Sequence, residues 1–421
     1  MRVDQLKKKI LERIDQKKDE LIKLCCDVVK IPSENPPGDT TEIADFLRQY
    51  LEERRFNVKT YEPKKANPNL VATYAGTKQK PNLMLNAHMD TFPAGSHDTW
   101  DFPPFCGEVK KGKILGRGSA DMKGGLTVSV FTFALFKEIG IELPGKLTLT
   151  LVSDEETGGK WGTEWLLDNV SDVKGDACLN TEPSGLSTVW IGEKGVCWLR
   201  LKASGVSAHG AVPMLGDNAI VNMSKVIPIA ESFRKVKGKI PREIEGIIEE
   251  ARAALEAIPG FGKGTGVVLD HVSVNVGTIK GGTKTNLVPE SCEMELDTRV
   301  PIGMTPKELK QKLETELHKA GLGMVKCEFI NATESSYTSP DERIIELVCK
   351  NAKEIIGQKL KYGIWVGGTD ARFFRQRGIP AAIYGTRMFN IGAANEYIEV
   401  DDLINVAKVH AATIVDYYQW K

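Results

Sequence analysis

At 421 residues the chain exceeds what one ordinary hydrophobic core covers, so two domains are expected. Lys plus Arg and Asp plus Glu each number 56, a balance that argues against a polyanion-binding surface and against nucleic acid as a partner. Eight scattered cysteines with no CxxC pair argue against a disulfide framework and predict a reduced, cytoplasmic protein.

Residues 1–30 carry an amphipathic helical pattern rich in Lys, Glu and Asp, without the apolar centre of a secretory signal. No run approaches the roughly eighteen apolar residues of a membrane span, so no membrane partner is expected. Helix and strand patterns then alternate as far as residues 189–191, which predicts a mostly parallel sheet covered by helices. Three β-like runs in this stretch, 82–86, 147–152 and 176–180, each end close to a potential metal ligand or base: His88 with Asp90, then Glu155 and Glu156, then Glu182. His88 and Asp90 are two apart, so on an extended strand they share a side, where the imidazole can bind a metal and the carboxylate can brace it. Asp121 lies in the glycine-dense stretch 116–125, ahead of an apolar helical run. Taken singly, His-x-Asp reads as a hydrogen-bonded turn and paired glutamates as a solvated helix start. Taken together, at successive strand ends, they read as a two-metal hydrolase site on the carboxyl edge of an open α/β sheet.

The pattern changes further on. Strands over 196–203, 271–279, 292–299 and 324–330 and helices over 218–233 and 306–320 give a ferredoxin-like βαββαβ order, with an extra surface helix over 246–258. After Ser335 an α/β pattern returns: helix 344–356, strand 363–366, helix start 371–376, strand 381–384 and a closing helix over 400–419. The expected division is a catalytic, metal-binding domain of 1–192 and 334–421 with an inserted domain of 193–333. Histidines 318 and 410 fall on helices and read as structural.

The ordered motifs resemble one family over nearly the whole length. They are His88-Met89-Asp90, Gly118-Ser119-Ala120-Asp121-Met122-Lys123-Gly124-Gly125, Asp154-Glu155-Glu156-Thr157-Gly158-Gly159, Glu182-Pro183, Ala208-His209-Gly210, Thr285-Asn286-Leu287-Val288-Pro289-Glu290, Gly367-Gly368-Thr369-Asp370-Ala371-Arg372 and Asn395-Glu396-Tyr397. The chain is similar to the zinc-dependent acetylornithine deacetylases, succinyl-diaminopimelate desuccinylases, aminoacylases and glutamate carboxypeptidases.

The resemblance implies that His88 and Glu182 hold one zinc, that Glu156 belongs to a second, and that Asp121 bridges them. It implies Asp90 as the carboxylate orienting His88 and Glu155 as general base. It also implies that the inserted domain mediates a homodimer in which His209 reaches the partner's site to stabilise an oxyanion; by itself, a histidine in this glycine-flanked turn reads more often as a cap or surface residue. Asn286, Arg299 and Arg372 resemble substrate-binding positions, where an Arg can grip a carboxylate as a fork. Arg299, after a strand and before a proline, reads equally as a domain-edge ion pair.

One position departs from the family. The histidine that completes the second zinc site stands four residues before the Glu of Asn-Glu-Tyr, and here that residue is Gly392. One tight zinc is therefore expected; the second metal either binds weakly, at a site completed by Glu396, Asn395 or water that favours cobalt or manganese, or is absent. The expected activity is cleavage of the amide of an N-acyl amino acid. A dipeptidase or carboxypeptidase on the same scaffold and a catalytically silent ligand-binding homologue are the alternatives.

Overall fold

The computed structural model describes residues 3–258 and 260–418. Its larger sheet has nine strands. Along the sheet they run Val58–Tyr61, Asn69–Ala75, Lys146–Val152, Asn82–His88, Ala177–Asn180, Ala381–Ile383, Thr188–Glu193 and Ser336–Tyr337, and Lys361–Trp365 also pairs with Thr188–Glu193. The centre is parallel: Asn82–His88 pairs that way with Lys146–Val152 and Ala177–Asn180, and Ala177–Asn180 with Ala381–Ile383. Most pairings toward the outside are antiparallel, as between Val58–Tyr61 and Asn69–Ala75, while Lys361–Trp365 runs parallel to Thr188–Glu193.

The parallel centre follows from composition. Asn82–His88 and Ala177–Asn180 are buried at every residue, so both faces must be covered by other elements. Side-chain alternation then divides the strand between two cores. Leu83, Leu85 and Ala87 enter the one shared with the helices Gly124–Glu138 and Val400–Tyr417, while Met84 enters the one containing Leu166, Phe373 and Phe374. Gly124–Glu138 is buried along almost its whole length and sits inside the helical layer, where each fully buried Leu or Phe contributes about 1.5–3 kcal/mol.

A second, four-stranded sheet has the order Ser273–Gly281, Ser291–Val300, Gly195–Ser204, Lys326–Thr333, with every pairing antiparallel. Helices Ala219–Ser232 and Pro306–Lys319 pack on one face around a separate core, which makes the predicted βαββαβ order a ferredoxin-like layer pair. The other face is charged, with Arg200 paired to Glu293 and Glu295 and Lys202 to Glu328. The chain leaves the large sheet at Lys194 and rejoins it at Ser336.

Three features differ from the sequence expectation. The amphipathic stretch 1–30 forms two helices among its described residues, Val3–Gln16 and Lys18–Lys30, because Lys17 departs from helical geometry (φ −109°, ψ 15°). The expected surface helix, Ile248–Glu256, instead packs on strand Lys361–Trp365, with Ile248, Ala251 and Leu255 in the larger core. A small sheet of Glu108–Lys110, Lys113–Leu115 and Tyr397–Glu399 gave no recognisable pattern, since its strands have three residues each. His410 is structural as expected: its Nε2 lies 2.7 Å from the Tyr384 carbonyl, and burial pulls the imidazole down to about 4, which keeps it neutral.

Candidate metal centre and active site

Because the central strands are parallel neighbours, their carboxyl ends bring distant residues to one edge. His88 ends its strand, Glu155 and Glu156 form a tight turn after Lys146–Val152, and Glu182 follows Ala177–Asn180 by two residues. Asp121 comes from the loop before Gly124–Glu138, with extended backbone (φ −120°, ψ 101°) and a cis peptide to Met122.

His88 Nε2 lies 3.1 Å from Asp121 Oδ1 and 3.4 Å from Glu182 Oε1. One ligand atom from each of the three residues falls within 4.8 Å of the others. The opposite ring nitrogen, Nδ1, is 2.9 Å from the Asp90 carbonyl and 3.4 Å from its carboxylate. The carbonyl is thus the nearer brace, and it orients Nε2 toward the acids. The Asp90 carboxylate instead accepts the N–H groups of Glu155 (3.3 Å) and Glu156 (3.1 Å) and the Asn35 amide (2.9 Å), which pins the glutamate turn to the His88 strand.

Burial and mutual repulsion dominate the electrostatics. Burial, reinforced by Asp121, pushes Glu182 up to about 7. Glu155 and Glu156 are pushed well above the usual carboxyl range, again by burial first and then by the neighbouring acids Glu182 and Asp121 respectively. Burial disfavours a charged His88 imidazole, but Glu182, Asp121 and Asp90 outweigh it and raise the group. A buried oxygen of Glu156, Oε1, has no hydrogen-bond partner among the described residues. Carboxylates crowding one imidazole in a buried site, with an acceptor oxygen left over, form the donor set of a divalent cation.

Polar residues below the site position it. Glu182 N–H donates to Asn180 Oδ1 (2.8 Å), the Asn180 amide to Asn86 Oδ1 (2.9 Å), and the Asn86 amide to Thr150 and Thr163 (3.1 and 3.0 Å). The sequence reading missed this ladder; its signal is a polar residue at the same level of each buried strand.

Glu396 is a structural anchor. Its Oε2 accepts from Arg117 (2.6 Å) and Gly118 N–H (3.0 Å), and its Oε1 from the N–H groups of Ala120 (2.9 Å) and Asp121 (3.1 Å). Burial pushes this carboxyl up to about 7 against the pull of Arg117, and four donors with no acceptor satisfy its ionised form. Asn395 is likewise committed, to Asp101. Both were candidate substitutes for the missing histidine, and these bonds occupy the side chains elsewhere. Gly392 is exposed with φ +71°, and a Cβ there would meet only the Phe92 ring, at 3.8 Å or more.

The remaining expected residues lie in two places. Arg372 is buried beside Glu155, with Nη1 3.5 Å from Oε1. His209 and Asn286 meet on the insert, where His209 bridges Leu287 and Gly210 N–H donates to the Asn286 carbonyl (2.8 Å). His209 is exposed, and its Nδ1 accepts from Ala211 N–H (3.1 Å). Arg299 is bound through Nε to Asp297 (2.8 Å), the ion pair that was one of its two readings.

Fold and site together define a metal-dependent hydrolase of amide and peptide bonds. Residues 84–416 match peptidase family M20/M25/M40, and the chain belongs to that family. It is 27% identical over 430 residues to an uncharacterized metallohydrolase of Methanococcus maripaludis, covering 93% of this chain and 98% of that one. It is 26% identical over 444 residues to the N-formyl-4-amino-5-aminomethyl-2-methylpyrimidine deformylase of Halalkalibacterium halodurans, covering 98% and 96%. The M20 family metallo-carboxypeptidase of Sulfolobus solfataricus shares the fold with a TM-score of 0.76 at 22% identity, covering 95% of this chain and all of that one.

Proposed function

We propose that the protein is a deacylase that cleaves the amide bond of an N-acyl amino acid. The observation that carries this reading is the cluster of buried His88 and Glu182 with the half-buried Asp121, and Glu155 beside it. These three residues would hold one divalent ion, zinc in the first instance, while Asp121 and Glu156 would hold a second more weakly, for want of an imidazole at Gly392. A bound ion supplies Lewis acidity and lowers the pKa of water.

Glu155 takes the proton from the attacking water and returns it to the leaving amine, the work of a carboxylate whose pKa burial has raised. Asp90 holds Glu155 and Glu156 in register with His88 through their N–H groups. His209 faces solvent and makes no hydrogen bond to the cluster among the described residues, which supports its service, with Asn286, in the site of a second copy. In this reading the cytoplasmic enzyme is a homodimer paired through the insert.

The deformylase likeness favours removal of a small acyl group. The carboxypeptidase likeness favours the second reading, cleavage of a dipeptide or a C-terminal residue on the same machinery. Turnover of N-formyl, N-acetyl and N-succinyl amino acids and of dipeptides, with zinc, cobalt or manganese added, separates the two. Activity confined to the dipeptides would overturn the deacylase reading.

A further inference from the structure

Arg372 has the sequence context of a substrate receptor and the surroundings of a structural clamp. Its side chain is nearly fully buried, with a residue exposure of 5%. Nη1 donates to the Thr369 carbonyl (2.8 Å) and Nη2 to the Gly158 carbonyl (2.8 Å), so both prongs of the guanidinium fork end on backbone. The same Nη1 is 3.5 Å from Glu155 Oε1, and the guanidinium carbon lies 4.5 Å from the centre of the Phe373 ring. A receptor for a substrate carboxylate needs an accessible fork, and here each Nη already has a backbone partner while Nε, the donor without a partner among the described residues, is buried.

The packing on either side is built for this arrangement. A Cβ at Gly368 would stand 2.6 Å from Arg372 Nη1, so a side chain there would push the guanidinium from its place. At Gly159, with φ +70°, a Cβ would stand 2.7 Å from Asp370 Oδ1 and 2.6 Å from the Phe373 ring. Gly159 of the turn that carries Glu155 thus makes room for Asp370 and Phe373, and Gly368 makes room for the guanidinium that reaches across to that turn at Gly158.

We propose that Arg372 is a positioning residue, which holds the Glu155 carboxylate and its turn in place over the cluster and does not read the substrate carboxylate. The inference rests on Glu155 being the base of the proposed reaction.

The test compares the metal-loaded wild type with Arg372→Ala, Arg372→Lys and Gly368→Ala. The substrates are whichever N-acyl amino acid or dipeptide is turned over and its C-terminal carboxamide. A base displaced by about 1 Å loses on the order of 10²-fold in rate, so Arg372→Ala should lower kcat by about that factor with KM little changed. The preference for free acid over carboxamide should stay as in the wild type. Arg372→Lys keeps the charge but not the fork and should fall between, and Gly368→Ala, which pushes the guanidinium without replacing it, should lower kcat in the same sense. A risen KM with kcat retained, or loss of the acid preference in the Arg372 variants, would overturn the proposal. If the wild type turns over none of these substrates, the proposed function fails by itself, and hydrogen exchange decides the clamp. Faster exchange at 155–159 in Arg372→Lys supports it, and unchanged protection refutes it.

Discussion

Glu396→Gln tests whether Glu396 anchors the Asp121 loop or serves as a metal ligand. In the structure its two oxygens receive four donors, one of them the Arg117 guanidinium at 2.6 Å and another the Asp121 N–H at 3.1 Å. A glutamine amide nitrogen cannot accept. Whichever way the amide turns, one pair of donors loses its acceptor: either Arg117 with Gly118 N–H, or the N–H groups of Ala120 and Asp121. Arg117 is only 1% exposed, so leaving its charge uncompensated costs about 3–5 kcal/mol, and each orphaned N–H a further ~1–3 kcal/mol. The loss should appear as a lower melting temperature and denaturant midpoint. Because the freed loop carries Asp121, the tightest metal should also weaken in calorimetric titration. A variant with wild-type stability that loses only a second, weaker metal would refute this reasoning and make Glu396 a ligand.

Glu155→Gln should keep the metal, since Glu156 and the other ligands are untouched, while turnover falls by on the order of 10²–10⁴; unchanged turnover would remove Glu155 as the base. His209→Ala and Glu155→Gln, each inactive alone, should restore activity when refolded together, because a mixed dimer rebuilds one whole site; proven heterodimers without activity would end the shared-site reading. Gly392→His should tighten the second metal, as titration of both proteins will show. It should also cost about 1–2 kcal/mol of stability, because a side chain at φ +71° is strained. Two equally tight metals in the unaltered chain would show that another group already completes the site.

Much of the site is legible locally. His88, Asp90, Glu155, Glu156 and Glu182 all follow buried apolar runs, and a strand's two-residue period puts His88 and Asp90 on one side without any tertiary information. The βαββαβ order was likewise readable, because each of its strands and helices is long enough to show its own period. Three-residue strands such as Lys113–Leu115 carry no period, and the small sheet went unseen.

What the tertiary structure alone decided is which loops meet. Ile248–Glu256 has the charged, amphipathic look of a surface helix, and only the position of strand Lys361–Trp365 supplies the partner that buries its apolar face. Asp90 sits beside its neighbour His88, and its carboxylate also accepts N–H groups some sixty-five residues away, because the two strands lie side by side in the sheet. The same holds for Glu396, joined to Arg117 across 279 positions, and for Arg372, joined to Gly158 across 214. A side chain's chemistry is written in the sequence, but its partners are set by strand order, and strand order comes from burying the whole sheet at once.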